Sequence, residues 1–207
     1  MKTFFQISFA FLTFTILLFA SPKEGQAYPL LREGDQNAEV TELQEKLIQL
    51  DYLDEDTTGV YGPLTKQAVI DFQHDFGLAA DGLAGIATLT TLEDVHTIAK
   101  VVYGEARGES FEGQVAVAAV VLNRVKSPDF PSTVSEVVFQ RNAFTAVHDG
   151  QYDLEPNANA YQAVKEAWTG TDPTEGAHYY FNPDIATSTW IQTRTVERQI
   201  GNHVFAN

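Results

Sequence analysis

The chain has 207 residues, no cysteine, and a formal net charge of −15 from 13 basic and 28 acidic side chains. Phosphate recognition needs clustered Lys and Arg, so this balance argues against a nucleic-acid partner and against adsorption to an anionic membrane. The missing cysteine excludes disulfides, thiolate catalysis and Cys-ligated metals; a composition of 44% hydrophobic and 20% charged residues is that of folded protein, with room for one or two small domains.

At the N-terminus, Lys2 precedes an apolar run from Phe4 to Ala20 and a polar stretch from Ser21 to Gln26. Gly25 and Ala27 supply the small residues of a cleavage site, so residues 1–27 are read as a signal peptide and the chain as exported. The apolar run, about 17 residues, is at the short limit for a membrane span.

Residues 28–92 carry an internal repeat. Val40, Leu43, Leu47 and Leu50 recur at helical spacing, as do Ala68, Val69, Phe72 and Phe76. Gly59-Val60-Tyr61-Gly62-Pro63-Leu64-Thr65 returns as Gly82-Leu83-Ala84-Gly85-Ile86-Ala87-Thr88. The glycines suit tight turns, and Thr65 and Thr88 are expected to cap the helices that follow. The result is a compact all-α bundle with few ionisable groups placed for chemistry. Its motifs, Leu31-Arg32-Glu33-Gly34-Asp35, Gly59-x-Tyr61-Gly62-Pro63-x-Thr65, Ala68-Val69-x-x-Phe72-Gln73 and Gly77-Leu78-x-x-Asp81-Gly82, resemble the peptidoglycan-binding type 1 family. Thr58 stands where that family usually has Asp. The resemblance implies a wall-binding role for 28–92.

Residues 93–207 hold the groups suited to catalysis. A helical stripe of Val95, Ile98, Ala99 and Val102 ends near Tyr103-Gly104-Glu105-Ala106-Arg107-Gly108-Glu109. Ser110 is expected to cap a helix that is apolar nearly all round, Val115 to Leu122, and therefore central. Thr133-x-x-Glu136 reads as a capping box, and Asn157 as the cap of a helix stopped at Gly170. His178–Phe181 and His203–Phe205 read as short strands. The fold class is thus two small domains, the second mainly α (α+β) with a small β element. A carboxyl group at a helix C-terminus faces the negative pole of the helix dipole, which favours a protonated acid able to donate to a glycosidic oxygen. Glu105 is the candidate for that role, and Glu112, Glu136, Asp149 and Asp153 are candidates for a second carboxylate.

Val102-Tyr103-Gly104-Glu105-Ala106-Arg107-Gly108-Glu109, Gly113-Gln114-x-Ala116-Val117-Ala118-Ala119-Val120-x-Leu122-Asn123-Arg124, Ala143-Phe144-Thr145-Ala146-Val147-x-Asp149-Gly150 and Tyr179-Tyr180-Phe181-Asn182-Pro183 resemble the SleB/CwlJ family of cell-wall hydrolases. The resemblance implies a lysozyme-like fold and lytic transglycosylase action on cortex peptidoglycan containing muramic-δ-lactam. It also implies a spore location (cortex, coat or inner-membrane surface), action in germination, a companion protein, YpeB, and Glu105 as catalytic residue. No cofactor is expected. Tyr179, Tyr180, Phe181 and Trp190 are candidates to stack on sugars, Asn182 to bind an N-acetyl group, and Thr145 sits in a stretch that resembles a substrate-side motif. His148, His178 and His203 fit no metal-ligand spacing. The alternatives are a hydrolytic glycosidase of the same fold, a zinc-dependent N-acetylmuramoyl-L-alanine amidase, and a wall-binding protein without activity.

Overall fold

The computed structural model describes residues 28–207; the signal segment assigned to 1–27 lies outside them. Helices α1 (Ala38–Gln49), α2 (Pro63–Asp75) and the start of α3 (Ile86–Ala106) form the N-terminal bundle. The C-terminal region adds α4 (Phe111–Lys126), α5 (Val134–Val138), α6 (Ala146–Asp149) and α7 (Ala158–Trp168). Strands β1 (Tyr179–Phe181), β2 (Val196–Ile200) and β3 (His203–Ala206) complete it, as an antiparallel sheet in the order β1-β3-β2.

The repeat is built around two buried glutamines. Gln44 Nε2 donates to Thr65 Oγ1 (2.9 Å), while its Oε1 accepts from the backbone N–H groups of Thr58 and Gly59. In the second copy Gln73 Nε2 donates to Thr88 Oγ1 (3.0 Å) and its Oε1 accepts from Gly82 N. Thr65 and Thr88 are therefore not the helix caps expected of them. Gly62 and Gly85 occupy the N-cap positions, and each threonine is spent as a buried acceptor one turn inside. Pro63 explains the earlier start, since its ring suits the first helical position. Only the first glycine of each copy has positive φ, Gly59 at 67° and Gly82 at 70°. Thr58 Oγ1 accepts from Val60 N just as Asp81 Oδ1 accepts from Leu83 N, so the hydroxyl closes the same two-residue turn as the carboxylate.

The helix stripe read at Val95–Val102 belongs to a longer element. α3 runs 21 residues and crosses position 92/93 without a break, so the N-terminal and C-terminal regions share a helix and one continuous hydrophobic core. Further contacts join them: Phe76 meets Trp168 edge-on at 5.5 Å, Lys165 Nζ pairs with Asp75 at 2.5 Å, and Tyr161 bonds His96 at 2.7 Å.

α4 is the central helix, buried from Gly113 through Leu122 and packed by α3, α5 and α7. Ser110 caps it by accepting from Gly113 N, Thr133 caps α5, and Asn157 caps α7, which Gly170 follows at φ 109°. The sheet lays Phe205 and Ile200 against Ala116 and Val120 of α4. β2 has no counterpart among the expected strands. Four of its five residues are exposed, so no alternation marks it.

Candidate active site

Glu105 lies in the last turn of α3, where Gly104 lets another segment come close. A Cβ built on Gly104 would sit 2.5 Å from the Cβ of Ala146, at the start of α6. With that space open, Ala146 N–H donates to Glu105 Oε1 at 2.6 Å. One carboxyl oxygen is thereby fixed by a backbone donor.

The other walls come from distant parts of the chain. A groove of about 800 Å³ is lined by Glu105, Arg124, the 140–145 segment, β1, the loop from Asn182 to Ile191, and His203. Tyr180 comes from β1, opposite Phe205 of β3, which turns its ring toward α4 and its phenol toward Glu105. Burial, then the charge of Glu105 and a hydrogen bond to it, hold the Tyr180 phenol far above its ordinary range. It stays protonated beside the carboxyl group.

Arg124, in the last turn of α4, is buried among the rings of Phe130, Phe144 and Tyr179 at 4.9–5.7 Å and donates from Nε to His178 O at 2.7 Å. Burial lowers its pKa, but a guanidinium keeps its charge, so it sets a fixed positive group in the groove wall.

The other residues singled out in the sequence fall as follows. Thr145 is exposed at the N-cap of α6 and lines the groove. Asn182 lines it too, with Oδ1 already accepting from Asp184 N at 2.9 Å. Trp190 is half exposed on the rim, meets Tyr179 edge-on at 5.2 Å, and carries the Arg194 guanidinium on its face at 4.4 Å. None of the four candidate second carboxylates lines the groove. Glu112 pairs with Arg198, Glu136 bonds Thr133 at the cap of α5, Asp149 bonds Gln151, and Asp153 sits in the short 3-10 turn after α6. Glu105 is the one acidic side chain in the lining among the described residues.

His148, His178 and His203 are dispersed. His148 accepts from Asn142 N, His178 bonds Asn207, and His203 alone reaches the groove. Among the described residues no three potential ligands converge on a metal position. Arg124, Arg141 and His203 are lining residues that the sequence reading did not assign to the site. The sequence offered a signal only for Arg124, a charged residue closing an otherwise apolar helix.

Comparison with known proteins places this geometry in a family. Residues 36–92 match a putative peptidoglycan binding domain, and residues 108–206 match the Cell Wall Hydrolase family. The spore cortex-lytic enzyme of Bacillus cereus is 40% identical over 221 residues, covering 85% of both chains; that of Oceanobacillus iheyensis is 38% identical over 85% of this chain and 86% of its own. Among solved structures, the catalytic domain of the Bacillus cereus SleB protein superposes with a TM-score of 0.53 at 58% identity, over 55% of this chain and 89% of that one. The catalytic domain of the germination-specific lytic transglycosylase SleB from Bacillus anthracis gives the same score and identity, over 55% and 93%. With Glu105 at its helix end and a three-stranded sheet closing the groove behind it, the chain belongs to the spore cortex-lytic enzyme family of cell wall hydrolases.

Proposed function

We propose that this enzyme is a lytic transglycosylase that cuts the bond from N-acetylmuramic acid to N-acetylglucosamine in spore cortex peptidoglycan during germination. Residues 28–92 hold the wall and residues 93–207 cut it. The observation that carries the reading is the lining of the groove, where Glu105 is the one carboxyl group among the described residues. A hydrolytic glycosidase needs two carboxyl groups, one as acid and one as base or nucleophile. A lytic transglycosylase needs one.

In the first step Glu105 gives its proton to the glycosidic oxygen, and the bond from that oxygen to the muramic C1 breaks. Positive charge develops on the muramic ring. In the second step the same carboxylate takes the proton of the muramic C6 hydroxyl, whose oxygen bonds to C1. The acid is regenerated, no water is consumed, and one product ends in a 1,6-anhydro ring. Ala146 N–H holds the carboxyl group in place through both transfers, with the protonated Tyr180 phenol beside it. Thr145, Asn182 and Trp190 line the groove at positions suited to sugar contact. The relatives' names carry the cortex and germination setting to this chain. Export by a signal peptide at 1–27, a spore location and a companion protein such as YpeB complete the proposal.

The test is Glu105→Gln, which keeps size but cannot deliver a proton. General acid–base catalysis contributes about 10²–10⁴-fold. A loss of that size, in a variant that still binds purified cortex, supports the assignment; digestion at the wild-type rate overturns it.

A further inference from the structure

His203 opens β3 beside Glu105, and its burial is not explained by packing alone. Its ring tilts over Tyr180 at 5.1 Å and meets Phe205 edge-on at 6.3 Å, as an apolar ring would. Yet Nδ1 is buried and has no hydrogen-bond partner among the described residues. Nearly all buried polar atoms in folded proteins find a partner, so an unmatched nitrogen beside a groove marks a ring placed for something other than stability. Nε2 also has no hydrogen-bond partner among the described residues but is not buried, so it is the ring nitrogen open to the groove.

The surroundings fix where this ring stands. Glu109, in the turn after α3, accepts from Asn202 N (3.2 Å) and from Asn202 Nδ2 (2.9 Å). Its carboxylate fills the space that a side chain on Gly201 would need, at φ 58°. The turn between β2 and β3 is thereby pinned to the turn between α3 and α4. The first carries His203 one residue on, and the second follows Glu105 by four. The spacing of imidazole and carboxyl group is set by that clamp, not by loop chance. Glu109, four residues after Glu105, thus aligns this side of the groove.

We infer that His203 is a substrate-contacting residue of this groove, its Nε2 hydrogen-bonding a hydroxyl or acetamido group of the sugar that spans Glu105. The inference rests on the reading of Glu105 as the catalytic acid. Burial lowers the His203 pKa against the opposing charges of Glu109 and Glu105, so the ring is neutral near pH 7. A neutral imidazole presents Nε2 to the groove as a donor or an acceptor according to its tautomer, which suits one sugar hydroxyl or amide and does not compete with Glu105 for the reacting proton. Among the described residues no side chain bonds Nε2, which leaves the groove as the source of its partner.

The test uses His203→Phe and His203→Gln in the full chain, with Glu105→Gln alongside. Release of soluble fragments from purified peptidoglycan, wall retention and melting temperature are measured for each. His203→Phe keeps a flat ring and removes the unmatched nitrogen, so it is expected to melt at or above the wild-type temperature. It is also expected to lose about 10- to 100-fold in rate, as for one hydrogen bond made to substrate in the transition state. His203→Gln restores a donor and an acceptor and is expected to recover part of that rate. A wild-type rate in His203→Phe overturns the inference. So does a lowered rate accompanied by a lowered melting temperature, which makes the ring a packing element. If Glu105→Gln is active, the catalytic assignment itself fails; if it is inactive while His203→Phe is not, only the His203 inference fails.

Discussion

Gly104 and Ala146 approach so closely that a methyl group on Gly104 would lie 2.5 Å from the Ala146 Cβ and 3.4 Å from the backbone oxygen of Gln151. This contact places α6 where Ala146 N–H reaches Glu105. In a helix interior Ala is ordinarily better than Gly by roughly 0.5–1 kcal/mol. Overpacking costs about 1–3 kcal/mol, and the obstacle is the Ala146 Cβ, which cannot yield without moving the α6 backbone that carries it, so the clash wins. Gly104→Ala is expected to lower stability by about 1–2 kcal/mol. It is also expected to cut the rate on peptidoglycan by up to about 10²-fold as the carboxyl group loses its backbone donor. Chemical denaturation and a fragment-release assay check both; an unchanged rate means that Ala146 does not position Glu105.

The interior of α3 carries a second titratable group far from the groove. Asp94 sits in a hollow lined by Leu122, Val125, Val134 and Trp168, and burial, then the charge of Glu93, pushes its pKa up to about 6. The unfolded value is near 4, so between these pH values the folded chain binds more protons than the unfolded one. Stability from this group therefore falls as pH rises through that window and stays lower above it. Asp94→Asn is expected to raise stability at pH 7 by about 1 kcal/mol after allowance for solvent screening, and to change nothing below pH 4. Melting curves at the two pH values decide; equal gains at both would contradict the titration argument.

Because α3 crosses from the binding region into the catalytic one and both feed one core, residues 28–207 are expected to unfold in a single cooperative transition. The Asp75–Lys165 pair and the Phe76–Trp168 contact reinforce the join. Calorimetry checks this: equal calorimetric and van't Hoff enthalpies fit one unit, and two resolved transitions contradict it. Under the proposed function, wall binding by 28–92 and cutting by 93–207 would then be divisions of labour on a shared frame.

Local signals in the sequence located most of the elements. Ser110, Thr133 and Asn157 each announced a helix start, because a short polar side chain before an apolar run has one favourable use. The apolar surface of α4 marked it as central. Thr65 and Thr88 misled because capping is only one use of a threonine near a helix start. The partners that claim them, Gln44 and Gln73, lie 21 and 15 residues away. β2 was illegible because an exposed edge strand buries little and shows no alternation. Glu105, Tyr180, Asn182 and Thr145, singled out through motifs, all line the groove. Arg141 and His203 were not legible as lining residues, because nothing near them in the chain shows that folding brings residues 105, 141 and 203 to one groove.

The central claim is that one carboxyl group acts first as acid and then as base, with the muramic C6 hydroxyl taking the place of water. The direct measurement is mass spectrometry of the glycan fragments that the wild-type enzyme releases from purified cortex. Muramic ends closed as 1,6-anhydro rings, each lighter by one water than a reducing end, are the expected result. Ordinary reducing muramic ends would contradict the claim, because water would then be the attacking group and a second residue would have to activate it.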